Sequence, residues 1–419
     1  MTAFSAALSP ATQGLRRGTP GYALAVGSLM LAGLASFNSL YTTQALMPAL
    51  TGDLGVRPAT AALTVSAATG ALALAIVPAS VLSERFGRGR VIAISSLAAA
   101  LVGLATPFAP TIGVLIVLRA LQGLLLAGVP ATAMAWLSEE IDPEFLPRAM
   151  GYYVAGTTIG GLSSRLIPSL ALEFTSWRWA LGSTALFGVT CAVVMILLMP
   201  AQRRFFPKRL TFEGETRAII GHWTNPRLVM LFAVAFTAMG AFVSLYNFLG
   251  YRLTSPPFNL GSAQVGFVFL LYLFGTLASM VTGRIVHHLG RGRTLVLGAL
   301  LCVLGLPLVL VGEIVTTLAG VAVFTFGFFV AHSTSSGWVG ALATVHRAEA
   351  TGTYLLCYYL GSSVLGYASG LVLGHWGWTG LVVWLLGLVV VCVALGIAVT
   401  RADRLATASQ VAQFDETPH

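Results

Sequence analysis

Stretches of about twenty mainly apolar residues recur along nearly the whole of this 419-residue chain. A helix needs about that many to cross the hydrocarbon core of a bilayer. Only 9% of the residues are charged and 57% are hydrophobic, where a soluble chain carries roughly a quarter charged. Such a chain has too little polar surface to face water, so lipid must be part of its solvent. Backbone groups inside lipid have to be satisfied internally. The runs are too long and too continuous for barrel strands, and the sequence therefore predicts an all-α membrane protein.

Spans are expected near 21–47, 59–83, 91–109, 111–137, 150–172, 178–199, 227–250, 262–285, 294–312, 316–344, 350–373 and 378–400. They divide the chain into a tail (1–20), a six-helix bundle (21–199), a linker (200–226), a second six-helix bundle (227–400) and a second tail (401–419). Residues 1–20 lack a short apolar core ending in small residues, and so read as a cytoplasmic tail rather than a cleavable signal. Arginine placement sets the orientation. With both termini inside, cytoplasmic segments hold Arg16, Arg17, Arg85, Arg88, Arg90, Arg148, Arg203, Arg204, Arg217, Arg227, Arg284, Arg291, Arg293, Arg347, Arg401 and Arg404, together with Lys208 and Arg209. Outside segments hold only Arg57, Arg178 and Arg252. Both termini inside requires an even number of spans, in keeping with twelve. The net charge of +9 thus has a membrane cause, and nucleic acid is not an expected partner. Phe205 and Phe206 beside the linker's basic residues make it an interfacial segment on anionic lipid.

The chain repeats itself. Phe37-Asn38-Ser39-Leu40-Tyr41 matches Phe242-Val243-Ser244-Leu245-Tyr246 at an offset of 205 residues. Gly87-Arg88-Gly89-Arg90 matches Gly290-Arg291-Gly292-Arg293 at 203, and Trp177-Arg178-Trp179 echoes Trp376-Gly377-Trp378 at 199. Each pair falls at the same place in its half, so the halves are parallel repeats, one known transporter architecture.

The loop Ser80-Val81-Leu82-Ser83-Glu84-Arg85-Phe86-Gly87-Arg88-Gly89-Arg90 resembles the major facilitator superfamily signature after span 2. Glu84 stands in for its acid and Ser80 for its first glycine. The second copy keeps Gly283, Gly290, Arg291 and Arg293, with His287 at the acid position. Arg119-Ala120-Leu121-Gln122-Gly123 resembles the span 4 signature. Tyr41-Thr42-Thr43-Gln44, Leu245-Tyr246-Asn247-Phe248, Phe328-Phe329-Val330-Ala331-His332-Ser333 and Tyr358-Tyr359-Leu360-Gly361 are similar to the twelve-span bacterial drug:proton antiporter branch, arabinose-efflux-permease-like. Span 5 departs from the antiporter pattern, with Gly156, Gly160 and Gly161 but no proline until Pro168. The resemblance implies two parallel-repeat six-helix bundles and a monomer in the bacterial inner membrane. It also implies alternating access driven by protons, with a latch at the cytoplasmic loops. The latch residues would be Glu84, Arg85, Gly87, Arg88 and Arg90, with Glu139 and Glu140 as acidic partners, and Gly283, Gly290, Arg291 and Arg293 in the second half.

Two charges lie within spans. Arg119 and Arg165 are expected at one depth on consecutive spans, on the order of 12 Å below the outer boundary at the helical rise. Intramembrane charge is expensive and normally faces the bundle interior. It either lines the pathway or is structural, with Arg119 bonding carbonyls of span 1 and Arg165 snorkelling outward along its stem. All fourteen acids sit in loops, tails or span ends. Two buried arginines without a buried acid favour a neutral, polar or anionic substrate over a cation. His332, midway along span 10, is the membrane-embedded proton-carrier candidate. The alternative is a neutral histidine bonded to a serine or a carbonyl. Asn38, Tyr41 and Gln44 form a polar stripe at i, i+3, i+6, and with Gln122, Tyr246, Asn247 and Tyr358 they are the substrate-pathway candidates. Interhelical hydrogen bonding is the competing role.

No phosphate-cradling glycine motif, metal-ligand cluster or catalytic triad spacing is present, so neither an enzyme nor a cofactor is expected. The four cysteines fall inside apolar runs and read as small core residues. The expected function is proton-coupled efflux. A proton-linked importer of a sugar or organic acid, and a membrane sensor or channel, stay open at this point.

Overall fold

A computed structural model describes residues 14–205 and 220–415. The linker residues Phe206, Lys208, Arg209 and Arg217 lie outside it, as do the first thirteen and last four residues. The described chain is helical, and its β-structure amounts to one isolated bridge between Leu15 and Ile141. The helices are α1 (Pro20–Leu40), α2 (Met47–Leu54), α3 (Pro58–Phe86), α4 (Arg88–Ala105), α5 (Ile112–Leu126), α6 (Gly128–Glu140), α7 (Leu146–Leu172), α8 (Trp177–Leu198), α9 (Pro226–Thr254), α10 (Ser262–Val268), α11 (Tyr272–Leu289), α12 (Arg291–Leu308), α13 (Ile314–Leu342) and α14 (Arg347–Asp415).

Ten stretches among the described residues are long and apolar enough to cross a membrane. One of them, Glu349–Ala406, has 58 residues, nearly three times the roughly 20 that a single crossing needs. Gly377 breaks it with a φ of 65°, a value glycine adopts at no steric cost. Helix α7 is long enough to cross but is rich in Gly, Ser and Thr and carries Arg165. Counting it, and both parts of α14, gives the twelve spans of the expected all-α fold.

The chain falls into two compact units, Met1–Thr43 with Leu74–Leu210, and Gln44–Ala73 with Thr211–His419. Each has its own core. In the first, Trp136 packs with Tyr22, Leu29, Ile92 and Met195. In the second, Trp338 packs with Phe232, Leu295, Val339 and Tyr354. The two tryptophans stand 202 residues apart, a further trace of the repeat.

Lipid tails are as apolar as leucine, so spans associate by close packing rather than by escape from water. Small residues set how close they come. A Cβ on Gly156 of α7 would lie 2.1 Å from the Met30 carbonyl oxygen of α1. In the second unit, a Cβ on Gly361 of α14 would lie 2.0 Å from the Phe236 carbonyl oxygen of α9. These glycines are 205 residues apart and play one role in their respective halves. Gly156→Leu and Gly361→Leu must push a helix backbone aside, at a cost of about 1–3 kcal/mol or more. Each is expected to lower the thermal unfolding midpoint of the protein in detergent.

Candidate functional site

Span 1 does not run unbroken to residue 47. Helix α1 ends at Leu40, residues 41–46 are turns, and α2 resumes at Met47. A helix end leaves its last carbonyls without intrahelical donors, which inside a membrane is costly. Here they are satisfied by side chains. Thr42 Oγ1 donates to Asn38 O (2.7 Å) and to Ser39 O (3.3 Å). Arg119 Nη1 on α5 donates to Ser39 O at 2.7 Å, and its Nη2 donates to Leu40 O. Arg119 also donates to Gln122 Oε1 one turn away, while Gln122 Nε2 donates to Ala99 O of α4 at 3.2 Å. Arg119 is 1% exposed. Its planar fork suits two diverging carbonyls better than an ammonium does.

Arg165 on α7 meets the same break from another side. It is 2% exposed, donates to Gly161 O within its own helix, and sits 4.7 Å over the Tyr41 ring. Desolvation strengthens such a cation–π contact. Asn38, two residues before the helix end, ties three helices. Its Nδ2 donates to Thr184 O of α8 at 3.0 Å, and its Oδ1 accepts from Ser163 of α7 at 2.9 Å. The two arginines expected at a common depth thus converge on residues 39–41. Arg119→Ala strands Leu40 O and leaves Ser39 O only its longer bond from Thr42, and is expected to cost about 3 kcal/mol. Arg119→Lys keeps the charge without the fork and should recover only part of this. Folded yield and unfolding midpoint in detergent measure both.

The expected stripe of Asn38, Tyr41 and Gln44 is not one helical face, because α1 stops before Tyr41. Gln44 belongs to the second unit, where its Nε2 donates to Asn247 Oδ1 of α9 at 2.6 Å. Nearby, Ser363 Oγ donates to Ser66 O at 2.7 Å. Ser66 Oγ and Asn247 Nδ2 are buried and have no hydrogen-bond partner among the described residues. Both face Gly366, where a Cβ would lie 3.3 Å from the one and 3.5 Å from the other.

Further along the second unit runs an aromatic column. Phe242 of α9 stacks on Phe328 of α13 with ring centroids 4.0 Å apart, and Phe328 stacks in turn on His332. His332 meets the Tyr358 ring of α14 at 4.7 Å. Tyr246 lies beside Phe242, with its hydroxyl 2.7 Å from Thr325 Oγ1. His332 Nδ1 is 2.9 Å from Tyr354 OH, which is 2.7 Å from Ser335 Oγ. Sequence reading picked Tyr358 but missed Tyr354. The signal was available, since the two stand one helical turn apart and so share a face.

At the membrane-surface loops of the first unit, Arg88 Nε bonds Glu139 Oε1 at 2.7 Å, and Nη2 lies 3.5 Å from Glu84. Gln202 bridges from Glu139 (3.0 Å) to the Gly89 backbone N–H (3.3 Å). Glu140 accepts instead from the backbone N–H groups of Arg203 and Arg204, at 2.9 and 2.8 Å. Arg85 lies over the Phe86 ring, and Arg90 is exposed. Gly87 and Gly290 both take positive φ, 95° and 77°, so the repeated motif turns the chain alike in each half. Gly283 faces open space, and Arg291 and Arg293 are exposed.

Asp142 accepts from the Glu144 backbone N–H (3.1 Å) and from Arg16 Nε (2.9 Å). These bonds, the backbone one foremost, hold its carboxyl below the usual carboxylate range. A lowered folded-state pKa contributes stability above the ordinary value and loses it as pH falls through the lowered one. The gap in unfolding midpoint between wild type and Asp142→Asn should therefore stay constant from about pH 8 to 5 and narrow below about pH 4. A pH scan of both proteins checks this.

Twelve spans, repeated halves, buried arginines at a broken helix and paired charges at the surface loops define a polytopic helical membrane protein. The chain belongs to the major facilitator superfamily, whose description matches residues 29–343. It is similar to the MFS-type transporter YybF of Bacillus subtilis (strain 168), at 36% identity over 368 residues covering 88% of this chain and 91% of that protein. It is also similar to the inner membrane transport protein YnfM of Escherichia coli (strain K12), at 34% over 397 residues, 95% and 94% of the two chains. The crystal structure of the nucleoside transporter NupG superposes with a TM-score of 0.74 over 90% of this chain and 99% of NupG. At 16% identity that likeness shows the shared fold. The protein is a multi-pass membrane protein and a secondary transporter of this superfamily, with a small-molecule substrate.

Proposed function

We propose that this transporter exports a small neutral, polar or anionic compound by alternating access, coupled to proton entry. The distribution of buried charge carries the reading. Arg119 and Arg165 are buried within spans, while every described carboxylate stands in a loop or near the end of a span. A cation entering a membrane interior wants a buried acid, and buried arginines repel it. Ser66 Oγ and Asn247 Nδ2 add uncommitted polar atoms suited to a neutral hydroxyl, carbonyl or amide. The hydrogen-bonded chain His332–Tyr354–Ser335 supports a proton path, because imidazole and hydroxyl groups both give and accept protons.

In this reading the chain sits in a bacterial inner membrane as a monomer, with both termini cytoplasmic. The arginine distribution supports the orientation, and the E. coli relative bears an inner-membrane name. The halves are 21–199 and 227–400, joined by the 200–226 linker. The Arg88–Glu139–Gln202 cluster acts as the latch, holding the end of α6 and residue 202 to the start of α4. The resemblance of residues 41–44, 245–248, 328–333 and 358–361 to the drug:proton antiporter branch supports export.

A thermal-shift screen of neutral, anionic and cationic compounds on the purified protein should yield neutral or anionic ligands. Stabilisation by lipophilic cations alone would sink the substrate class. With a ligand in hand, everted vesicles energised by an imposed pH gradient, acid inside, should accumulate it, and His332→Gln should abolish the pH dependence. Arg88→Glu should slow transport roughly tenfold, with recovery when Glu139→Arg is added. Accumulation in right-side-out vesicles under an inward proton gradient instead identifies an importer.

A further inference from the structure

The Gly-Arg-Gly-Arg motif occurs twice, 203 residues apart, and its two copies handle charge differently. In the first, Arg88 is buried and held by Glu139 and Glu84. Moved on by 203 residues, Glu84 becomes His287 and Glu139 becomes Leu342. The second copy has kept the arginines and the positive-φ glycine but exchanged both acids. Arg291 and Arg293 are exposed there, and among the described residues no ion pair joins either to a carboxylate.

Where the first copy is filled, the second opens into a cleft of about 560 Å³ at the membrane-surface end of α11, α12 and α14. His287, Arg291, Arg293 and Arg404 line it. Its one acid, Asp403, is bonded to Arg227 at 3.0 Å. The 18-residue helix α12 begins in the cleft wall with no side-chain cap on its first N–H groups, so its dipole adds positive potential. Leu289 lines the same cleft and is exposed, as is Leu405 beside Arg404. Three arginines and a helix N-terminus beside exposed leucines, where spanning helices end, match a phosphate carried on an acyl chain.

We propose that this cleft binds the phosphate headgroup of an anionic phospholipid, which supplies to Arg291 and Arg293 the negative charge that Glu84 and Glu139 supply to Arg88. The second half thereby gains a lock completed by lipid, where the first carries a lock completed by its own side chains. Free phosphate shares the headgroup's chemistry but has no use for the apolar flank.

The test is the unfolding midpoint of the full-length protein in neutral detergent, titrated separately with phosphatidylglycerol, phosphatidylcholine and inorganic phosphate. Phosphatidylglycerol should raise the midpoint, and the other two should not at equal concentration. The double variant Arg291→Gln/Arg293→Gln should need roughly thirtyfold more phosphatidylglycerol for the same shift. His287→Glu places a carboxylate one turn before Arg291, as Glu84 stands to Arg88. It should raise the midpoint without lipid and blunt the response to phosphatidylglycerol. If the double variant does not fold, Arg404→Gln and His287→Glu carry the test. An equal phosphatidylglycerol response in wild type and variants overturns the proposal. Equal stabilisation by inorganic phosphate also overturns it and makes the cleft a site for the free ion.

Discussion

A buried guanidinium holds together the place where span 1 breaks. Helix α1 ends at Leu40 among buried helices, and its last carbonyls need donors that an apolar surround cannot provide. Arg119 reaches two of them and Thr42 two, with Ser39 O shared. A charge at this depth is expensive by itself, and so is an orphaned carbonyl. Each offsets the other, which is why a residue so poorly suited to hydrocarbon is found there. With the break secured, Tyr41 can lie under Arg165 and Gln44 can turn to Asn247.

The repeat gives the two halves one scaffold, and the exchanges between copies give them different chemistry. Gly156 and Gly361 pack one span on another in the same way. Trp136 and Trp338 anchor corresponding cores. Gly87 and Gly290 turn corresponding loops. Above this common frame, the first half concentrates arginines at a broken helix and pairs its loop arginine with acids. The second half builds an aromatic column ending in His332 and leaves its loop arginines facing a cleft. Packing tolerates few substitutions at backbone contacts, whereas side chains at loops and cavities diverge at little cost to the fold.

Much of this was legible in the residues alone. Transfer energy acts residue by residue, so the spans, their number and the arginine-rich loops follow from composition along the chain. The offsets of 203 and 205 residues revealed the repeat before any coordinate. Arg119 and Arg165 stood out because charge within an apolar run is rare. The loop pairing is narrowed to Arg88 or Arg90 with Glu139 or Glu140.

Other features were decided only in three dimensions, since partners far apart in sequence leave no periodic trace. Helical spacing placed Asn38, Tyr41 and Gln44 on one face, but the chain turns after Leu40 and sends each to a different neighbour. Glu139 rather than Glu140 takes Arg88, because Glu140 is engaged by the backbone of residues 203 and 204. Spacing puts Tyr354 on the face of Tyr358, but its hydrogen bond to His332 joins two helices and is set by their packing. The sequence by itself determined a twelve-span membrane protein built from two repeated halves, because hydrophobicity and repetition are properties of the chain read in one dimension. The tertiary structure decided which polar groups are tied to one another and which remain available, because a hydrogen bond depends on distance and direction between atoms that only packing brings together.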